Sequence, residues 1–132
     1  MKKGYNIDIE QQTKDNDSFR HVLYTTTHMQ LVLMTLQPGE DIGSETHEDN
    51  DQFFRFEAGE GMVRVGETDY TVSDGHAVVV PCGTEHNVIN TGTDPLKFYT
   101  IYTPAHHKDG IIRVAKAQAL AEEAEFDGQT TE

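Results

Sequence analysis

At 132 residues the chain has room for a single packed core. Its net charge of −13, from 23 acids against 10 bases, argues against nucleic acid and anionic membranes as partners, since both need clustered Lys and Arg. An apolar fraction of 36% without Trp leaves the core to Val, Leu, Ile, Phe and Met, and a lone Cys82 excludes an internal disulfide. No apolar leader follows Met1-Lys2-Lys3, and no run approaches the length of a membrane span, so the expected location is the cytoplasm.

Residues 1–18 are polar and charged, ending in Lys14-Asp15-Asn16-Asp17-Ser18, and read as a loosely held arm. From Phe19 the texture is that of β-structure. Phe19–Thr27 and Met29–Gln37 are rich in β-branched and large apolar residues, and Pro38-Gly39 is a turn. Further strands are predicted at Asp51–Glu57, Met62–Val65, Thr68–Val72, Ala77–Val80, His86–Thr91 and Leu96–Thr103, separated by Gly-rich turns. Eight or nine short strands at this spacing suit an antiparallel sandwich or barrel. Residues 19–114 form that unit. Ala115–Glu125, rich in Ala, Leu and Glu, predicts a surface helix within a C-terminal segment spanning 115–132.

Two constellations carry the chemistry. The first runs Gly39, Glu45, His47, Gln52, Gly59 and the second Gly75, Pro81, Gly83, His86, Asn90. On a strand, Glu45 and His47 point to the same face, and His86 follows a Pro-x-Gly turn into a neighbouring strand. Two imidazoles and a carboxylate converging in a small β-fold make a transition-metal site by ligand chemistry.

The spacing of these residues resembles the two motifs of the cupin superfamily, and the flanking strands extend the likeness to small single-domain cupins. The resemblance implies an all-β fold, a double-stranded β-helix (jelly-roll) barrel with a short C-terminal helix. It implies one divalent transition metal (Zn, Mn, Fe or Ni) held by Glu45, His47, Gln52 and His86, and a homodimer built through a strand edge. The usual first motif carries His, His and Glu where this chain has Glu45, His47 and Gln52. The carboxylate has moved, yet one carboxylate with a divalent ion still leaves a formal charge of +1. If Gln52 binds weakly, two His and one carboxylate remain, the arrangement associated with open-position Fe(II) chemistry; the other role for Gln52 is to orient a ligand.

Alternation puts Phe54 and Phe56 on the face of Gln52, and His86, Val88 and Asn90 on one face. In the last long strand, parity separates Phe98, Thr100 and Tyr102 from Tyr99, Ile101 and Thr103 without deciding which set faces inward. Tyr102 and Tyr99 are therefore both candidate proton donors. Pro104–Gly110 resembles the tail of a small cupin subgroup. It reads either as a plain loop or as a lid bringing His107 in as acid or base.

The expected function is a metal-dependent enzyme acting on a small oxygenated compound, sugar-like or a keto or hydroxy compound. Isomerase or lyase chemistry and Fe-dependent dioxygenase chemistry are the reaction classes. The alternatives are a non-catalytic module that binds a small ligand through its metal, and a structural barrel that has lost the metal. With Arg55 and Arg64 the only bases near the first motif, no phosphate clamp is expected, and the ligand is read as neutral or weakly anionic, lined by Phe and Tyr.

Overall fold

The computed structural model describes residues 1–132. In chain order the elements are α1 (Ile9–Asp15), β1 (Arg20–Thr25), β2 (Gln30–Leu36), β3 (Asp51–Ala58), β4 (Glu60–Val65), β5 (Thr68–Ser73), β6 (Ala77–Val80), β7 (His86–Asn90), β8 (Leu96–Thr103), β9 (Ile112–Arg113) and α2 (Lys116–Ala121). The strands form two antiparallel sheets, ordered β6-β3-β8-β2-β1-β9 and β5-β4-β7, packed as a jelly roll. No helix is long and apolar enough to cross a membrane.

Alternation explains the packing. Phe54 and Phe56 on β3, Phe98 and Tyr102 on β8, Val63 on β4 and Val88 on β7 all turn inward and join one buried apolar cluster. Each buried side chain of this size contributes roughly 1.5–3 kcal/mol. Gln52 stands opposite Tyr102 and Phe54 opposite Thr100, so the inward parity of β8 is that of Phe98, Thr100 and Tyr102. Tyr99 falls on the other face, beside Phe53 with ring centroids 6.4 Å apart.

Gly59 closes the β3–β4 turn with φ +87°, and a Cβ there would lie 2.5 Å from the Pro95 carbonyl oxygen. Only glycine allows both that conformation and that approach. Asn90, the last residue of the second constellation, is structural. Its amide donates to the carbonyls of Leu36 and Asp94, and its oxygen accepts from the Gly92 N–H, each at 2.9 Å.

Two expectations need correction. The first eighteen residues are not a loose arm. Asp8 caps α1 by accepting from the Gln11 N–H, Thr13 and Asn16 are buried, and Lys97 donates to the carbonyls of Lys14 and Asn16. The helix lies against β2, β3 and β8. The C-terminal helix is shorter than predicted, ending at Ala121, because the acids that follow (Glu122, Glu123, Glu125) sit where the helix dipole opposes negative charge. Beyond it the chain returns across the molecule. Glu125 pairs with His107 in an isolated backbone β-bridge, the Phe126 N–H donates to the His106 carbonyl, and the Thr131 N–H donates to that of Thr25. The structure also adds β9, a two-residue strand that pairs with β1, which brings the strands to nine within the expected eight or nine.

Candidate metal centre

Glu45 lies just outside the named strands but is not adrift. Its N–H donates to the His86 carbonyl and the His86 N–H donates to the Glu45 carbonyl, both at 2.9 Å, so one reciprocal backbone pair joins the two constellations. The turn at Pro81–Gly83 adds a second tie, where the Gly83 N–H donates to the His47 carbonyl at 2.8 Å. These bonds bring one donor atom from each of Glu45, His47 and His86 within 4.8 Å of one another. Two donors bonded to one ion at about 2.1 Å are at most about 4.2 Å apart, so small side-chain adjustments close the set.

The polar atoms within this group show what it fits. The Nδ1–H of His86 donates to the Thr84 carbonyl at 3.0 Å, which fixes the tautomer and leaves Nε2 as a bare lone pair. That Nε2 is buried and has no hydrogen-bond partner. The Oε1 of Gln52 is in the same condition, while its Nε2 donates to the Thr100 hydroxyl at 3.0 Å. A buried acceptor without a donor costs about 1–3 kcal/mol, and a cation held by Glu45, His47 and His86 would relieve that cost at His86 Nε2. His47 Nε2 donates to Glu45 Oε2 at 3.0 Å, a bond that a shared cation replaces.

The electrostatics agree. Burial works against the Glu45 carboxylate, but the His47 hydrogen bond and the charges of His47, Arg20 and His86 hold its pKa below the usual range. Burial, reinforced by His47, lowers the pKa of His86 despite the Thr84 carbonyl and Glu45. Glu45 is therefore ionised and His86 neutral at pH 7, the states in which each ligates a metal.

Around this cluster stand Tyr102, His106 and His107. His106 packs on His47 at 4.3 Å and on Tyr102 at 5.4 Å between ring centroids. His107 is buried, with Nε2 at 3.3 Å from the Tyr102 hydroxyl. Burial raises the pKa of the Tyr102 hydroxyl well above the usual phenol value, and Glu45 adds to this. Burial also lowers His107 well below its usual value, with the charges of Arg20, His106, His47 and Arg113 acting the same way. Tyr102 is thus a protonated phenol beside a neutral imidazole. Tyr99, the other candidate donor, lies on the outer face of β8 and does not reach the site.

Two residues escaped the sequence reading, His106 and Arg20. Arg20, on β1, lines a cavity of about 140 Å³ together with Glu45, His106, His107, Glu123, Ala124 and Glu125. A wider groove of about 360 Å³ opens beside it along His47, Asn50, Pro104, His106 and Phe126. Phe54 and Phe56 face inward as predicted and lie in the core beneath the site, and the Phe along the groove is Phe126. Arg55 turns to Glu57 in an ion pair at 2.9 Å, and Cys82 is exposed.

Residues 32–102 match the family model of the cupin domain. The chain belongs to the cupin family. Among relatives of this cupin is the uncharacterized protein YrkC of Bacillus subtilis, 46% identical over 127 residues, covering 92% of this chain and 68% of the relative. The uncharacterized protein L612 of Acanthamoeba polyphaga mimivirus is 43% identical over 119 residues, covering 87% of this chain and 74% of its own. The crystal structure of BH2720 from Bacillus halodurans is similar to this cupin with a TM-score of 0.89 at 44% identity, covering 91% of this chain and 96% of that one.

Proposed function

We propose that this cupin binds one divalent transition metal through Glu45, His47 and His86, with Gln52 Oε1 as fourth donor, and works as a metal-dependent enzyme on a small oxygenated compound. The observation that carries the reading is the pair of buried, unpartnered acceptors, His86 Nε2 and Gln52 Oε1, accompanying the three-donor cluster. A divalent ion in that set supplies Lewis acidity toward a carbonyl or hydroxyl oxygen.

The chain's own residues account for the rest. His106 walls the ligand space against His47, and the Tyr102 hydroxyl holds a proton next to His107 Nε2. A hydroxyl–imidazole pair of this kind moves a proton to or from a bound oxygen, a contribution of about 10²–10⁴ in rate. This pair favours an enzyme over a module that only binds.

Elemental analysis of protein purified without added metal tests the first part. Near-stoichiometric metal, lost in His47→Ala and His86→Ala, is the expected result, and metal-free protein that takes up none on reconstitution would sink the reading. Turnover of keto and hydroxy compounds with and without O₂ tests the second. Metal and ligand bound with no turnover in either condition would assign a binding module instead.

A further inference from the structure

In a chain carrying 23 acids, an arginine with no carboxylate partner is unusual, and Arg20 is one. It takes part in none of the molecule's ion pairs, and its Nε is buried without a hydrogen-bond partner. Its cross-strand neighbour is Arg113, directly opposite in the short β1–β9 ladder. Arg113 donates to the carbonyls of Glu122 and Ile112, which leaves its charge uncompensated as well. Like charges facing each other across a ladder are destabilising, and a buried unpaired N–H adds a further cost.

The cavity that Arg20 lines explains this arrangement. Its inner wall carries Arg20, His106, His107 and Glu45, whereas Glu123 and Glu125 are exposed at the rim. Glu45 is the only inner carboxylate, and it is committed to His47 and the cation site. Glu45 feels the charge of Arg20 but is hydrogen-bonded to His47, so the guanidinium faces the same small space as the metal cluster with no carboxylate bonded to it. A guanidinium fork matches a planar carboxylate through two parallel N–H···O bonds. A volume of about 140 Å³ is about four or five times the ~30 Å³ share of one water, room for a ligand of few non-hydrogen atoms.

We infer that the ligand of this site is a small carboxylic acid bearing a neighbouring keto or hydroxyl oxygen, its carboxylate held by Arg20 and its second oxygen turned toward Glu45, His47 and His86. The inference rests on the proposed metal site only for the second oxygen; the Arg20 contact stands without it. It replaces the expectation of a neutral, sugar-like ligand with an anion.

The test compares pyruvate with hydroxyacetone, which keeps the ketone and replaces the carboxylate by a neutral hydroxymethyl group. Affinities are read by NMR titration of full-length zinc-loaded and EDTA-treated protein, with zinc content measured on each sample. Wild type should bind pyruvate at least about tenfold more tightly than hydroxyacetone, the scale of one charge-assisted hydrogen bond. Arg20→Gln should lose this preference while hydroxyacetone binding stays unchanged, and Arg20→Lys should recover part of it. Melting of both variants at or above the wild-type temperature separates a lost contact from a lost fold. Equal binding of the two ligands by wild type, a preference that survives Arg20→Gln, or inorganic phosphate outcompeting pyruvate would overturn the inference. Zinc failing to bind while the Arg20-dependent preference persists in EDTA-treated protein would overturn the metal reading alone. Zinc bound without any such preference would overturn this one alone.

Discussion

The carbonyl of Thr84 accepts the Nδ1–H of His86 at 3.0 Å and so decides which ring nitrogen is free. The orienting group is backbone, so the only substitution that tests it acts on the ring itself. His86→Gln retains polarity but loses the fixed lone pair, and its metal affinity should fall by more than about 100-fold, beyond the usual cost of losing only an orienting partner. Competition with a chelator of known affinity measures this, and wild-type affinity in the variant would remove His86 from the ligand set.

Gln52→Glu restores the carboxylate that the usual motif carries at this position. In metal-free protein it places a charge at a site 2% exposed, and the variant should lose about 3 kcal/mol, since an uncompensated buried charge costs about 3–5 kcal/mol. With metal bound, the second carboxylate neutralises the site, so affinity should rise above wild type. Urea unfolding of both forms checks the two signs. Equal destabilisation with and without metal would show that Gln52 stands apart from the ion.

Gly59→Ala should destabilise the protein by more than about 2 kcal/mol, because it combines a positive φ with a Cβ 2.5 Å from the Pro95 oxygen. Gly128→Ala, also at positive φ but with open space around the added carbon, carries only the conformational cost of about 1–2 kcal/mol. Comparing the urea midpoints of the two variants separates collision from backbone strain.

The pH dependence has a definite sign. Burial leads the causes that lower His86, His106 and His107, and nearby cations act in the same direction. The unfolded chain then binds more protons between the depressed folded values and the ordinary value of about 6.5. Stability is thus complete above about pH 6.5 and falls as pH drops through that window, by up to about 1.4 kcal/mol per pH unit for each group titrating only in the unfolded state. Thermal unfolding of EDTA-treated protein between pH 7 and 5 should show this decline, with a shallower slope in His107→Gln. A flat profile would mean that these imidazoles are not buried in the neutral form.

Most of the strand pattern was legible because β-structure with one buried face writes itself as alternation. Gln52, Phe54 and Phe56 could be assigned to one face from parity alone. The choice between Tyr99 and Tyr102 could not, since β8 carries aromatic and β-branched residues on both parities; it is settled by the pairing of Tyr102 with Gln52. The spacing of the two constellations located the three-donor cluster. Arg20 obeys no such spacing, because it enters the site from β1, and no local signal in the sequence ties β1 to the loop carrying His106 and His107. The N-terminal helix was the nearer miss. Asp8 three residues before Gln11 is a capping signal, but the segment between Ile9 and Asp15 has too little apolar surface to stand out, and its burial comes through Thr13 and Asn16.

Gln30 is fully buried on β2, and its side chain accepts from the backbone N–H groups of His106 and His107 while donating to the His107 carbonyl and the Thr25 hydroxyl. The segment once read as either loop or lid is thereby riveted to the sheet at both histidines. These bonds tie the wall to the sheet in this structure. If the site takes the proposed ligand, a rigid wall predicts that affinity falls once a ligand outgrows the space lined by Arg20 and His106, with no closing step in its binding kinetics.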